Sequence, residues 1–265
     1  SNIIIENNLV YAVRNDGIYV DSTHNATVRN NVVLGTAESE YHRYGNNSFV
    51  GPGLAINNED YQFRDFGGSL TPDDMARDIK IYNNLVSGTA IGLAIWGQHP
   101  ESSVRDVQIA HNTFVDNNVQ LSVALANNSG IEIANNVFLT VANSGEDYKG
   151  ASNADSIRFI NNYWSQGQPD SRLRSQGDIY SGLVLSKMDG WRGVSSHLQV
   201  NWQDFVPRSG SGTIGAASPE IAVSIAGDHN GTRLNRPPDI GALANGTSGI
   251  AGISPPKSPF LRAIN

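Results

Sequence analysis

One short pattern, present six times, limits what this chain can fold into more than any property of its composition. Asn2-Ile3-Ile4-Ile5-Glu6-Asn7-Asn8-Leu9-Val10 joins alternating aliphatics to paired asparagines and a further apolar pair. It returns as Ala26-Thr27-Val28-Arg29-Asn30-Asn31-Val32-Val33, Asp78-Ile79-Lys80-Ile81-Tyr82-Asn83-Asn84-Leu85-Val86, Asp106-Val107-Gln108-Ile109-Ala110-His111-Asn112-Thr113-Phe114, Gly130-Ile131-Glu132-Ile133-Ala134-Asn135-Asn136-Val137-Phe138 and Ser156-Ile157-Arg158-Phe159-Ile160-Asn161-Asn162-Tyr163-Trp164. The first position of each pair falls at 7, 30, 83, 111, 135 and 161, giving intervals of 23, 53, 28, 24 and 26. A period in the twenties is too short for a helix-pair repeat and fits one coil of a parallel β-solenoid or a leucine-rich repeat. The latter needs a leucine framework and helical segments, and neither is present. Ile3 and Ile5, Ile79 and Ile81, Val107 and Ile109, Ile131 and Ile133 alternate instead with outward Glu6, Lys80, Gln108 and Glu132, the period of a strand.

The asparagine pairs mark the turns, because Asn tolerates the left-handed backbone and its amide can bond the asparagine of the next coil. Stacked amides of this kind satisfy donors and acceptors between layers, so these asparagines are read as structural. The 265 residues, 39% of them hydrophobic, suffice for a real core. A net charge of −7 and a pI near 5.3, without clustered Lys and Arg, exclude nucleic acid as the partner. The absence of cysteine removes disulfides, thiolate catalysis and zinc-thiolate sites. No apolar run approaches the roughly 20 residues of a membrane span.

Ile-x-Ile-x-Asn-Asn-x-Val/Phe resembles the coil of the right-handed parallel β-helix, the pectate-lyase-like superfamily of secreted bacterial carbohydrate-active proteins. The resemblance covers roughly residues 1–164. It implies three strands per coil, with the asparagine ladder at the turn between the second and third. The first strands then become Gly17-Ile18-Tyr19-Val20-Asp21, Gly53-Leu54-Ala55-Ile56-Asn57, Gly92-Leu93-Ala94-Ile95-Trp96 and Val119-Gln120-Leu121-Ser122-Val123-Ala124-Leu125. The long interval resolves into one ordinary coil with two insertions, residues 37–52 and 58–77, flanking the strand at Gly53. Beyond Trp164 the pattern stops, and residues 165–265 are expected to form an irregular cap or tail packed on the solenoid, covering an edge that would otherwise lie open. Within it Asp239-Ile240-Gly241-Ala242 resembles the closing segment of many secreted bacterial β-helix proteins, with Asp228, Arg233 and Asp239 as a polar network holding the tail. The chain opens inside a second strand with no cap before Asn2, so coils of the same protein are expected upstream.

Loops that depart from a rigid repeat concentrate function, and both insertions bring titratable groups to one edge. By alternation, Tyr19, Asp21, Ala55, Asn57, Ala94 and Trp96 face outward on the first-strand sheet. Tyr19 and Trp96 can then stack on sugar rings, or pack beneath the insertions, while Asp21, Asn57, Gln98 and His99 bond hydroxyls. The resemblance implies cleavage of an acidic polysaccharide by β-elimination, with His42 or Arg43 as base, Tyr44 or Tyr61 as acid and Arg64 as the group that neutralises the uronate. Hydrolysis by two carboxylates is the alternative, with Asp21, Glu59 and Asp60 as candidates. A non-catalytic carbohydrate-binding or surface-adhesion module is the rival class. Glu38, Glu40, Glu59, Asp60 and Asp65 supply oxygens of the kind calcium takes, so calcium is the one cofactor considered, although no calcium-loop spacing accompanies them.

Overall fold

A computed structural model describes residues 2–11, 15–35, 51–59, 76–98, 102–125, 127–141, 145–150, 156–170, 173–187, 202–221, 229 and 238–245. The strands follow the repeat coil by coil. The first coil holds β1 (Ile3–Glu6), β2 (Leu9–Tyr11) and β3 (Ile18–Asp21), and the second β4 (His24–Arg29), β5 (Val32–Leu34) and β6 (Pro52–Asn58). The third holds β7 (Ala76–Tyr82), β8 (Leu85–Ser87) and β9 (Ile91–Gly97), and the fourth β10 (Ser103–Ala110), β11 (Thr113–Val115) and β12 (Val119–Val123). The fifth holds β13 (Asn127–Ala134), β14 (Val137–Leu139) and β15 (Glu146–Gly150); β16 (Ile157–Ile160), β17 (Tyr163–Trp164) and β18 (Arg174–Gln176) close the series.

Corresponding strands stack in parallel into three sheets, a seven-stranded one (β1-β4-β7-β10-β13-β16-β18), a six-stranded one (β2-β5-β8-β11-β14-β17) and a five-stranded one (β3-β6-β9-β12-β15). This is a right-handed parallel β-helix. β4 pairs directly with β7, Ala26 opposite Ile79, so the interval of 53 is a single coil. β6 of that coil lies between β3 and β9 of the neighbouring coils, as the sequence suggests. Gly17 opens β3 where a side chain has no room: an added Cβ would stand 2.4 Å from the Gly53 carbonyl oxygen.

β15 and β18 fall outside the repeat pattern. β15 has Asp147 and Tyr148 at its buried positions. β18 continues the seven-stranded sheet beyond Trp164, with Arg158 opposite Arg174. It ends at Gly177 and Asp178, which replace the asparagine pair: Gly177 takes the left-handed backbone, and Asp178 accepts from Asn162 N at 2.7 Å and Trp164 Nε1 at 2.7 Å.

The core is a set of columns parallel to the helix axis. Ile5, Val28, Ile81, Ile109, Ile133 and Phe159 form one, and Phe114, Phe138 and Trp164 stack at 5.4 and 4.3 Å in another. At each turn the first residue adopts positive φ (Asn7, Asn30, Asn83, His111, Asn135, Asn161), and from Asn31 onward the second is fully buried. The second residues form the ladder: Asn31 Nδ2 donates to Asn84 Oδ1, Asn84 to Asn112, Asn112 to Asn136 and Asn136 to Asn162, all at 2.9 to 3.0 Å. The C-terminal segment lies along the outer face of the six-stranded sheet. Leu183, Leu185, Phe205, Ile240, Ala242 and Leu243 share a buried cluster there with Leu34, Leu85, Val115 and Leu139. Asp239 ties this segment together by accepting from Gly215 N and Asn245 N at 2.8 and 2.7 Å.

Candidate functional site

On the outer face of the five-stranded sheet the register sets Tyr19 opposite Ala55 and Asp21 opposite Asn57. Strand alternation then places Tyr19, Asp21, Asn57 and, two residues further, Glu59 on one side. They form one hydrogen-bonded cluster. Tyr19 OH donates to Glu59 Oε1 at 2.6 Å and accepts a short bond from Asn57 Nδ2, which also donates to Glu59 Oε1 at 2.8 Å. The Glu59 backbone N–H donates to Asp21 Oδ1 at 2.9 Å, and Ser22 Oγ donates to the same oxygen at 3.0 Å. Asp16, just before β3, is near enough to Glu59 to interact with it electrostatically.

Their electrostatics differ. Asp16 is half-buried, and desolvation, with the nearby Glu59 carboxylate adding to it, pushes its carboxyl up to about 6. Desolvation also raises Asp21 against the bonds from Glu59 and Ser22 that favour its charged form. The Tyr19 phenol is raised well above its ordinary value, mainly by burial, so it stays protonated and donates. The cluster therefore offers a carboxyl that is half protonated near pH 6, a second carboxyl held by a phenol and an amide, and an amide donor between them.

Of the residues singled out from the sequence, Tyr19, Asp21, Asn57 and Glu59 come together here. Trp96 lies opposite Asn57 on β9, half-buried, and Gln98 is exposed beyond the end of that strand. The face is covered at Ala55, Asn57 and Ala94, which are 1%, 0% and 6% exposed where an open groove is expected, while Asp16, Tyr19, Asp21, Glu59 and Trp96 are partly exposed. Glu38, Glu40, His42, Arg43, Tyr44, Asp60, Tyr61, Arg64, Asp65 and His99 lie outside the described residues, as do Asp228 and Arg233. Among the described residues no group of three or more His, Cys, Asp or Glu side chains is disposed to hold a metal ion. No described helix is long and apolar enough to cross a membrane. Asp16 stands in the sequence on a coil adjacent to the insertions but carries no assigned role there; its signal is position, an acid directly before the glycine that opens a first strand.

No protein-family model and no curated protein matches the chain.

Proposed function

We propose that this chain is a secreted, carbohydrate-active β-helix of the pectate-lyase-like kind, acting on a polysaccharide at the cluster formed by Asp16, Tyr19, Asp21, Asn57 and Glu59. The observation that carries the reading is geometric: Tyr19 OH and Asn57 Nδ2 both donate to Glu59 Oε1, at 2.6 and 2.8 Å, the Glu59 N–H donates to Asp21 Oδ1 at 2.9 Å, and the half-buried Asp16, raised to about 6, is coupled electrostatically to Glu59. A pair of carboxyls is the equipment of glycoside cleavage, one as general acid and one as base or nucleophile. Trp96, one coil along, supplies an apolar surface for a sugar ring.

The same cluster favours hydrolysis over β-elimination. Its described side chains are carboxyls, a phenol and an amide, and a uronate carboxylate brought beside Asp16, Asp21 and Glu59 meets like charge. Elimination on an acidic polysaccharide needs cations from the flanking insertions, where His42, Arg43 and Arg64 stand in the sequence. Non-catalytic glycan binding is the second reading, favoured by the half-buried Trp96 and the exposed Gln98 at the end of β9, an aromatic face and an amide with no carboxyl beside them among the described residues of that strand.

Incubation with neutral and acidic polysaccharides separates the three. Hydrolysis releases reducing ends without the absorbance of an unsaturated uronate, elimination produces that absorbance, and a binding module yields neither. With hydrolysis, Asp16→Asn and Glu59→Gln each lower kcat by about 100-fold or more, the scale of a lost general acid or base. Full activity in both variants would place the chemistry elsewhere.

A further inference from the structure

The seven-stranded sheet carries on its outer face a groove of about 630 Å³ that the chemistry proposed above does not use. Its lining comes from five successive coils, β1, β4, β7, β10 and β13. The groove exists because the sheet is kinked along one line. Asn25, Asp78, Asp106 and Gly130 adopt φ of 58°, 53°, 52° and 64° in the interiors of β4, β7, β10 and β13. Each falls at the one interior position that the pairing register skips, between Arg105 and Val107, for example, and between Arg77 and Ile79. Left-handed residues in mid-strand carry strain that Asn, Asp and Gly tolerate best. Here four are aligned, so the bends add into a continuous concavity that crosses the strands.

Two columns of polar side chains flank the backbone floor at Ala26, Ile79 and Val107. Asn25, Asp78 and Asp106 form one, all exposed; Thr27, Lys80, Gln108 and Glu132 form the other, in register across the coils. Gln108 and Arg158 each bond Glu132, at 3.2 and 3.1 Å, and Arg77 lies 3.6 Å from Asp78, so the lining has both signs of charge and no net cationic character. That disfavours a polyanion. An extended peptide pairs along a strand edge, whereas this groove runs across strands. The lining repeats once per coil, about every 4.8 Å, over about 19 Å in all. Amides, carboxylates and hydroxyls presented at such an interval match a linear ligand whose own hydroxyls recur along its length.

We propose that this groove is a second, non-catalytic binding site for a linear neutral oligosaccharide lying parallel to the helix axis. The reading is independent of the chemistry assigned to the five-stranded sheet. Isothermal titration of the full chain with cellohexaose, xylohexaose, mannohexaose and maltohexaose tests it, with hexagalacturonate as the acidic comparison. At least one neutral hexaose should bind. Replacing Asp106 and Gln108 together by alanine should weaken that binding at least ten-fold, and so should Thr27→Arg, which fills the groove, while Glu59→Gln leaves it unchanged. Unaltered melting curves confirm that each variant is folded. Failure of every neutral hexaose to bind at millimolar concentration, equal binding by both groove variants, or loss of binding in Glu59→Gln instead would overturn the assignment.

Discussion

The two residues of each turn between the seven- and six-stranded sheets meet different demands. The first must accept positive φ and the second must present an inward amide, so Asn serves both, while His111 can take only the first role. His111 is buried, receives Asn135 Nδ2 at Nε2 across 3.0 Å, and faces the backbone of Asp239 and Gly241. Burial pushes its imidazole down to about 4. The folded state therefore holds it neutral while the unfolded chain, at about 6.5, takes up a proton, so stability is full above pH 6.5 and falls between about 6.5 and 4. His229 is lowered for the same reason and adds to that loss. His111→Asn, the residue its neighbours Asn83 and Asn135 carry, should remove on the order of 2–3 kcal/mol of the acid sensitivity. Melting temperatures of variant and parent between pH 7 and 4 check this, and parallel curves would refute it. Asp16 has the opposite sign. Its raised carboxyl makes the protein less stable as pH rises from about 4 to 6, and Asp16→Asn should flatten that limb in the same scans.

At the scale of elements, the ladder is a chain of mutually dependent hydrogen bonds. Asn112 donates to Ile81 O, Ala110 O and Asn136 Oδ1 and accepts from Asn84, all within the buried interior. Asn112→Ala leaves those partners buried and unmatched, and should destabilise the protein by about 3 kcal/mol or more in urea unfolding; a loss under 1 kcal/mol would show that water repairs the gap. Elements whose chemistry repeats were readable from the sequence. β6 is legible because Leu54 and Ile56 alternate, and period two puts Tyr19, Asp21 and Asn57 on one face. Strands that keep the geometry with other residues were not. β15 buries Asp147 and Tyr148, and β18 ends in Gly177-Asp178, which reproduces the left-handed turn and the inward acceptor without an asparagine. Within the site, Asp16 depends on burial and on a carboxylate from another coil, neither visible in local pattern. The kinked groove had a signal that went unread: Asn25, Asp78, Asp106 and Gly130 each stand five residues before a turn, a column of residue types that tolerate positive φ.

For the whole molecule, the solenoid and its C-terminal segment share one buried cluster on the outer face of the six-stranded sheet. That face presents Val32, Leu34, Leu85, Val115 and Leu139, apolar residues that a parallel strand exposes on its second side and that must be covered. Phe205, 1% exposed, and Leu243, 1% exposed, provide the cover, while Thr113 Oγ1 on β11 accepts from Ala242 N at 2.9 Å and His229 Nδ1 meets Asn83 O at 2.9 Å. A segment anchored to β8, β11 and β14 at once makes its loss felt along several coils, so solenoid and segment should unfold together. Phe205→Ala should therefore lower global stability by about 3–5 kcal/mol, the scale of a deleted buried aromatic. It should do so without separating the transition seen by tryptophan fluorescence, to which the core residue Trp164 contributes, from that seen by backbone circular dichroism. Two resolved transitions in this variant would mean that the solenoid stands alone and the segment is a detachable cover. Coincident curves displaced to lower urea would establish that the coils depend on it for their fold.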